Sequence, residues 1–323
     1  MFRSDRRKVR AAHRARPPDE GRLIQLVYYG YVLLSRLALA LPERLAYGLA
    51  RWIGGMAAGL SKKRSAVAGN LARITGEPPD SATVRSLTGE VFRSYARYWL
   101  ETFRLVREGK DFFLERFQCD GQENLDGVLA RGKGAIVVVG HLGNWDAAGA
   151  WVSARGNRLV TVAEVLRPRR MFDFFVEHRQ RLGMTIYPAR KGAIQQLVDE
   201  VEAGAVVPIL GDRDLKGTGP KVEFFGAVTT MPGGPASIAL RTGVPVMVAG
   251  VYGIVRPDGT RGWHAEISAP IEPPPERTPE SVKELTQEIA RLLEKFIARR
   301  PEEWHVLHDF WPSSGAARRR DGS

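Results

Sequence analysis

Residues 134–151 read GAIVVVGHLGNWDAAGAW, and the fold turns on this stretch. Ala135 to Val139 is an unbroken apolar run dominated by β-branched residues, the pattern of a strand buried on both faces. Gly140 and Gly143 then relax the backbone, and Asn144 or Asp146 opens a helix. That order places His141 just past the carboxyl end of a strand, where open α/β sheets bind their ligands.

Working outward, short β-rich runs alternate with helical ones throughout the chain beyond Lys110. The patterning predicts strands over 135–139, 159–162, 185–187, 206–210, 244–251 and 263–267. Helices are predicted over 123–130, 145–154, 172–182, 194–202, 236–242 and 279–299, the last reached through a Pro-rich connector at 271–275. Alternation of this kind gives an α/β fold: a mixed, mostly parallel central sheet flanked by helices. Upstream, residues 23–107 read as helical. One helix covers 23–41, a second starts at Pro42-Glu43, and a third spans 62–75 before Gly76 and Pro78-Pro79. Asp80 or Ser81 caps a long fourth, whose stripe of Val84, Val91, Phe92, Tyr95, Tyr98 and Phe103 is expected in the core. The expected organisation is a disordered basic arm (1–20), a membrane-contacting helical region (21–110), an α/β core (111–312) and a disordered tail (313–323).

A chain of 323 residues, 44% hydrophobic and 26% charged, is long enough and apolar enough to bury a sizeable core. Its net charge of +12 asks for an anionic partner: nucleic acid, an anionic membrane or a phosphorylated substrate. The charge is concentrated in the basic arm and at 318–320, which favours an electrostatic membrane anchor over nucleic-acid binding. Residues 23–41 are apolar and aromatic with Arg36 as their one charge. Their length is near the lower limit for spanning a bilayer, about 17–25 residues, so an interfacial placement is expected. Cys119 is the single cysteine, which rules out an intrachain disulfide and fits a cytosol-facing protein. No base adjoins it in Arg116-Phe117-Gln118-Cys119-Asp120, so it reads as a structural thiol. No G-x-S-x-G elbow marks a serine hydrolase, and GHLGNW does not supply the G-x-G-x-x-G of a dinucleotide fold.

His141 and Asp146 are five residues apart, and five steps of about 100° would set them on different faces of a regular helix. A turn at Gly143 can fold the histidine back over the helix start, so that the carboxylate holds one imidazole nitrogen. The other nitrogen then serves as a base, and with no serine in the arrangement the substrate alcohol is the nucleophile. A capping aspartate beside an unrelated loop histidine is the alternative the spacing leaves open.

Residues 141–146 resemble the HX4D signature of the lysophospholipid and lipid A acyltransferases, and GHLGNWD is the form typical of the lipid A late-acyltransferase branch. FVEHRQRLG (175–183), the P-x-x-x-D-x-D loop (208–214), the FFG…GPA segment (224–236) and P-x-x-W (301–304) resemble further motifs of that branch, so the likeness spans roughly residues 25–312. It implies an acyl-CoA-dependent O-acyltransferase acting on a glycolipid, with no metal and no cofactor beyond acyl-CoA as co-substrate. The same resemblance makes His141 the general base and Asp146 its orienting partner. Arg179 and Arg181 become candidates for a phosphate or the oxyanion, and Glu223 for the sugar. Asp212, Arg213 and Asp214 are candidates either for substrate binding or for bracing their loop. Of the other histidines, His305 beside Trp304 most invites a role. The ending PEEWHVLHDFW and the Glu223-Phe224-Phe225 sequence look most like the group that acylates phosphatidylinositol mannosides. The alternatives are lipid A-type lauroyl or myristoyl transfer, another glycolipid or lysophospholipid acyltransferase, and, outside enzymes, a basic protein that binds membrane surfaces. A monomer on the cytoplasmic face of the membrane, peripheral or monotopic, with anionic lipids as partners and no nucleic acid, completes the expectation.

Overall fold

The computed structural model of the chain describes residues 22–311 except 167, 215 and 216, with side chains from residue 28 onward. The basic arm expected at 1–20 and the tail expected at 313–323 lie outside the described residues. Four helices come first: α1 (Arg22–Ala40), α2 (Glu43–Leu60), α3 (Arg64–Thr75) and α4 (Ala82–Leu105). Ser81 caps α4, its hydroxyl accepting from the Val84 N–H at 3.1 Å. Helix α2 turns a stripe of small residues, Ala46, Ala50, Gly54 and Ala58, toward the protein interior. At Gly54 a Cβ would come within 2.6 Å of the Arg93 Cα, so only glycine lets α2 and α4 pack this closely.

The α/β core follows as α5 (Lys110–Arg116), β1 (Phe117–Asp120), α6 (Gln122–Leu129), β2 (Ala135–Val139), α7 (Trp145–Ala154), β3 (Leu159–Ala163), α8 (Arg169–Arg181), β4 (Met184–Pro188), α9 (Ala193–Glu202), β5 (Val206–Leu210), β6 (Lys221–Phe224), β7 (Ala227–Thr230), α10 (Gly234–Thr242), β8 (Val246–Val255), β9 (Arg261–Ile267) and α11 (Pro279–Arg299). Seven strands form one sheet in the order β1-β9-β8-β2-β5-β3-β4. Every pairing in it is parallel except β8 with β9, which run antiparallel. The mixed, mostly parallel sheet expected from the alternation is therefore the observed one. Strand β2 lies at its centre with all five residues buried, as its unbroken apolar run requires.

Three elements escape the sequence patterning: α5, the edge strand β1, and the β6–β7 hairpin. β1 is four residues of mixed polarity, FQCD, too short to show a period. In the hairpin both turn residues, Phe225 and Gly226, take positive φ (49° and 69°), the combination a two-residue type I′ turn needs. Phe225 is an unfavourable residue for that turn. It is held by its backbone N–H on the Glu294 carboxylate and by the contact of its ring with Phe224 at 4.8 Å.

No helix among the described residues is long and apolar enough to cross a membrane. Helices α1 and α2 nonetheless expose large apolar side chains: Leu33, Leu34 and Leu37 on the first, Leu45, Leu49, Trp52, Ile53, Met56 and Leu60 on the second. Leu60 is 80% exposed and Trp52 62%, values unusual for such residues in a water-facing helix.

Candidate active site

Strands β2 and β5 are parallel neighbours in register, Val139 opposite Leu210. Each is followed by a glycine and then a polar residue: Gly140-His141 after β2, Gly211-Asp212 after β5. Extending the register sets His141 beside Asp212. The imidazole Nδ1 lies 2.7 Å from Asp212 Oδ1, and the backbone N–H of His141 donates to Oδ2 at 2.8 Å. A third donor, the Trp304 indole N–H, reaches the same Oδ2 at 2.8 Å. Asp212 has no exposed surface. Burial alone would raise its pKa, but the charge and hydrogen bonds of His141, joined by Trp304, outweigh burial and hold it below the usual carboxylate range. An ionised carboxylate can only accept, so Nδ1 carries the proton and Nε2 is left as the basic nitrogen.

The partner expected for His141 was Asp146, and here the structure differs. Asp146 is buried on the first turn of α7, with Asn144 as the N-cap, its side chain accepting from the Ala147 N–H at 3.0 Å. The Asp146 carboxylate accepts from Arg179 Nε at 2.7 Å and from the Tyr98 hydroxyl at 3.1 Å. The reason is the turn itself. Gly143 has φ 61°, and a Cβ there would sit 2.1 Å from the Val251 carbonyl oxygen. This tight passage leaves His141 on the β5 side while α7 starts in a direction that aims Asp146 at α4 and α8. The Arg179 guanidinium, which burial would make easier to deprotonate, is pushed the other way by Asp146 and stays charged. Burial first, and then Asp146, raises the Tyr98 hydroxyl well above the usual phenol value.

Residues 303–305 strap this loop in place. Gly143 N–H donates to the Glu303 carbonyl at 2.9 Å and His305 N–H to the His141 carbonyl at 2.8 Å, with Leu142 and Trp304 in an antiparallel bridge. Trp145 stacks on Tyr98 at 4.4 Å and meets the His141 ring edge-on at 5.3 Å, which limits the rotation of the imidazole. His305 is buried, and burial drives its pKa well below the usual value, so the ring is neutral. Its Nε2 lies 2.9 Å from the Ser94 hydroxyl.

His141, Asp146 and Arg179 share the wall of a cavity of about 310 Å³ that spreads between α7, α8 and the sheet. The rest of the lining is mostly apolar, including Trp151, Leu159, Val162, Phe172, Val176 and Met184. Trp145, Ala148 and Trp151 also line it. The other expected site residues stand elsewhere. Arg181 is exposed and pairs with Glu177 at 3.2 Å. Glu223 is an exposed residue of β6 whose backbone is tied to Gln287. Arg213 is exposed, and Asp214 accepts from the Gly219 N–H at 2.8 Å, bracing its loop. Four contributors carried no assigned role in the sequence: Trp304, whose motif was noted; Tyr98, grouped with the core stripe; Asn144, weighed only as a helix opener; and Glu164, a second carboxylate on the cavity wall beside that of Asp146.

Residues 20–313 match the model of a family described as bacterial lipid A biosynthesis acyltransferase. The chain belongs to this family. It is 34% identical over 256 residues to a phosphatidylinositol mannoside acyltransferase of Mycobacterium tuberculosis (strain CDC 1551 / Oshkosh), covering 78% of each chain. To the protein of the same name from Mycolicibacterium smegmatis it is 31% identical over 299 residues, covering 92% of this chain and 95% of that one. The motif resemblance is thus borne out, and this acyltransferase is an enzyme that moves acyl groups.

Proposed function

We propose that this acyltransferase moves a long fatty acyl chain from acyl-CoA to a sugar hydroxyl of a glycolipid, a mannose of a phosphatidylinositol mannoside. The observation that carries the reading is an imidazole fixed by a buried carboxylate on the wall of an apolar cavity. The acyl chain occupies the cavity and the thioester carbonyl stands near His141. The acceptor hydroxyl gives its proton to Nε2 as its oxygen attacks that carbonyl. Asp212 stabilises the imidazolium that forms. The tetrahedral intermediate collapses with loss of the CoA thiolate, and the imidazolium returns the proton to the sulfur. Arg179, fixed by Asp146, presents positive charge to the cavity where the oxyanion develops. The names of the mycobacterial relatives favour the mannoside acceptor over a lipid A precursor.

Donor and acceptor are both lipidic, so the enzyme works at a lipid surface, here assigned to the cytoplasmic face. The exposed apolar rows of α1 and α2 suit that contact, with Lys62, Lys63 and Arg64 directly after α2. Tyr31 of α1 packs on Trp99 at 5.2 Å and on Phe175 at 5.9 Å, and both of those residues line the cavity. The lipid-facing helix therefore stands beside the acyl cavity. The test is release of CoA thiol from palmitoyl-CoA on addition of a mannosylated phosphoinositide, with His141→Ala as control. Full transfer by that variant sinks the assignment; activity with a lipid A precursor alone moves the acceptor to the alternative.

A further inference from the structure

On the other side of α4 lies a second cavity of about 340 Å³, between α2, α4, the start of β9 and the 3-10 turn Pro301–Glu303. None of its lining residues belongs to the acyl cavity. Its volume falls in the range of small-molecule sites, about 300–1,000 Å³. Its chemistry is opposite to that of the first: five arginines, Arg51, Arg93, Arg97, Arg261 and Arg300, face three carboxylates.

The carboxylates do not neutralise the arginines evenly. Arg97 is taken up by Glu303 and by the buried Glu101 behind it. Arg51 and Arg93 share one carboxylate, Glu90, at 3.3 and 2.6 Å. Arg300 is 3.9 Å from Glu302, the edge of an ion pair, and burial raises the Glu302 carboxyl so that it yields its charge more readily. Among the described residues Arg261 has no ion pair; its guanidinium lies over the Tyr47 ring at 5.3 Å. Positive charge is thus left over on two sides of a concave, half-enclosed space. Like charges gathered there repel one another, and an anion is the occupant that relieves the repulsion. Guanidinium forks match the oxygens of a phosphate, and three of them can share one such group.

We propose that this cavity is a phosphate-binding site, separate from the transfer site, in which Arg51, Arg93 and Arg261 hold a phosphate monoester dianion. Its inner wall includes Ser94, the hydrogen-bond partner of His305, so the bound anion sits one residue layer behind the strap that holds the His141 loop. The phosphate is carried either by a soluble molecule or by a lipid headgroup.

The full chain is titrated with inorganic phosphate at constant ionic strength, and separately with phosphatidylcholine vesicles with and without phosphatidic acid. The variant is Arg51→Gln with Arg261→Gln. A control, Arg131→Gln with Arg277→Gln, removes the same charge from exposed positions away from the cavity. The variant is expected to melt like the wild type in chloride and to bind about tenfold more weakly, with the control unchanged. A loss seen with inorganic phosphate alone assigns a soluble ligand; a loss that extends to phosphatidic acid vesicles assigns a headgroup. The proposal fails when neither probe separates variant from wild type, or when the control loses as much as the variant.

Discussion

Asp212→Asn tests the acid–base reading most directly. The carboxylate receives three N–H groups, two on Oδ2 and one, from His141 Nδ1, on Oδ1. An amide has one oxygen and one NH2. With its oxygen in the place of Oδ2 it satisfies two donors, and its NH2 then faces Nδ1. That forces the other tautomer and puts a proton on Nε2, where the base is needed. The reverse orientation keeps the tautomer but sets NH2 against two donors. The difference is one hydrogen bond to the amide oxygen plus a clash, about 1.5–3 kcal/mol, so the competent tautomer falls to roughly 1–10%. Loss of the negative charge beside the imidazolium costs a comparable factor in the transition state. The product is a fall of about 10²–10⁴ in kcat/KM, read as CoA thiol release. Asp146→Asn should behave differently, because it leaves the buried Arg179 without its carboxylate. There the main effect is on stability, about 3 kcal/mol, the lower end for a broken buried pair because Arg179 is one-fifth exposed. Retention of more than a tenth of the activity by Asp212→Asn, together with an inactive but stable Asp146→Asn, refutes the assignment of Asp212.

Three further outcomes are expected. In Gly149→Ala the new Cβ would lie 2.5 Å from Met184 Cε, a flexible end that can swing into the cavity. Excluding about two methylene groups at ~0.8 kcal/mol each lowers palmitoyl transfer about tenfold relative to decanoyl; an unchanged chain-length profile contradicts this. His178 and His305 are held neutral, with pKa values lowered chiefly by burial. Their unfolded counterparts take up protons below about pH 6.5 while the folded rings do not, so stability is lost as pH falls, at up to ~1.4 kcal/mol per unit for each. Urea unfolding between pH 7.5 and 5.5 measures this, and an unaltered slope in His305→Gln rules out the contribution of that ring. The Cys119 thiol is pushed up to about 12, mainly by burial, so at pH 8 it should label slowly with a disulfide reagent; rapid stoichiometric labelling of the native enzyme contradicts that environment.

The stretch at 134–151 predicts its own structure well: β2 and α7 begin and end where the apolar run, the glycines and the cap place them. The alternation downstream likewise predicts the sheet, because both-face burial leaves long apolar strands that are hard to misread. The partner of His141 was not legible, for a physical reason. Spacing along the chain reports local geometry, and Asp212 is 71 residues away. What joins the two is the adjacency of β2 and β5, a property of strand order. A signal was present all the same: each of those strands ends in a glycine followed by a polar residue, a matched pair that becomes visible once the strands are set side by side. The membrane reading of residues 23–41 rested on composition. The described structure adds which side chains of α1 and α2 face outward, a matter of packing against α4 that the sequence alone leaves open.

The strap formed by residues 303–305 has a consequence for biosynthesis. It comes after every strand and after α11 in the chain, so it is among the last of the described segments to leave the ribosome. Until it arrives, the His141 loop lacks two of its backbone hydrogen bonds and Asp212 lacks its indole donor. A nascent chain can therefore build its sheet and its apolar cavity before the His141 loop is fully held. On the proposed mechanism, competence for acyl transfer follows only after this segment has been made and has docked, so the enzyme stays idle until then.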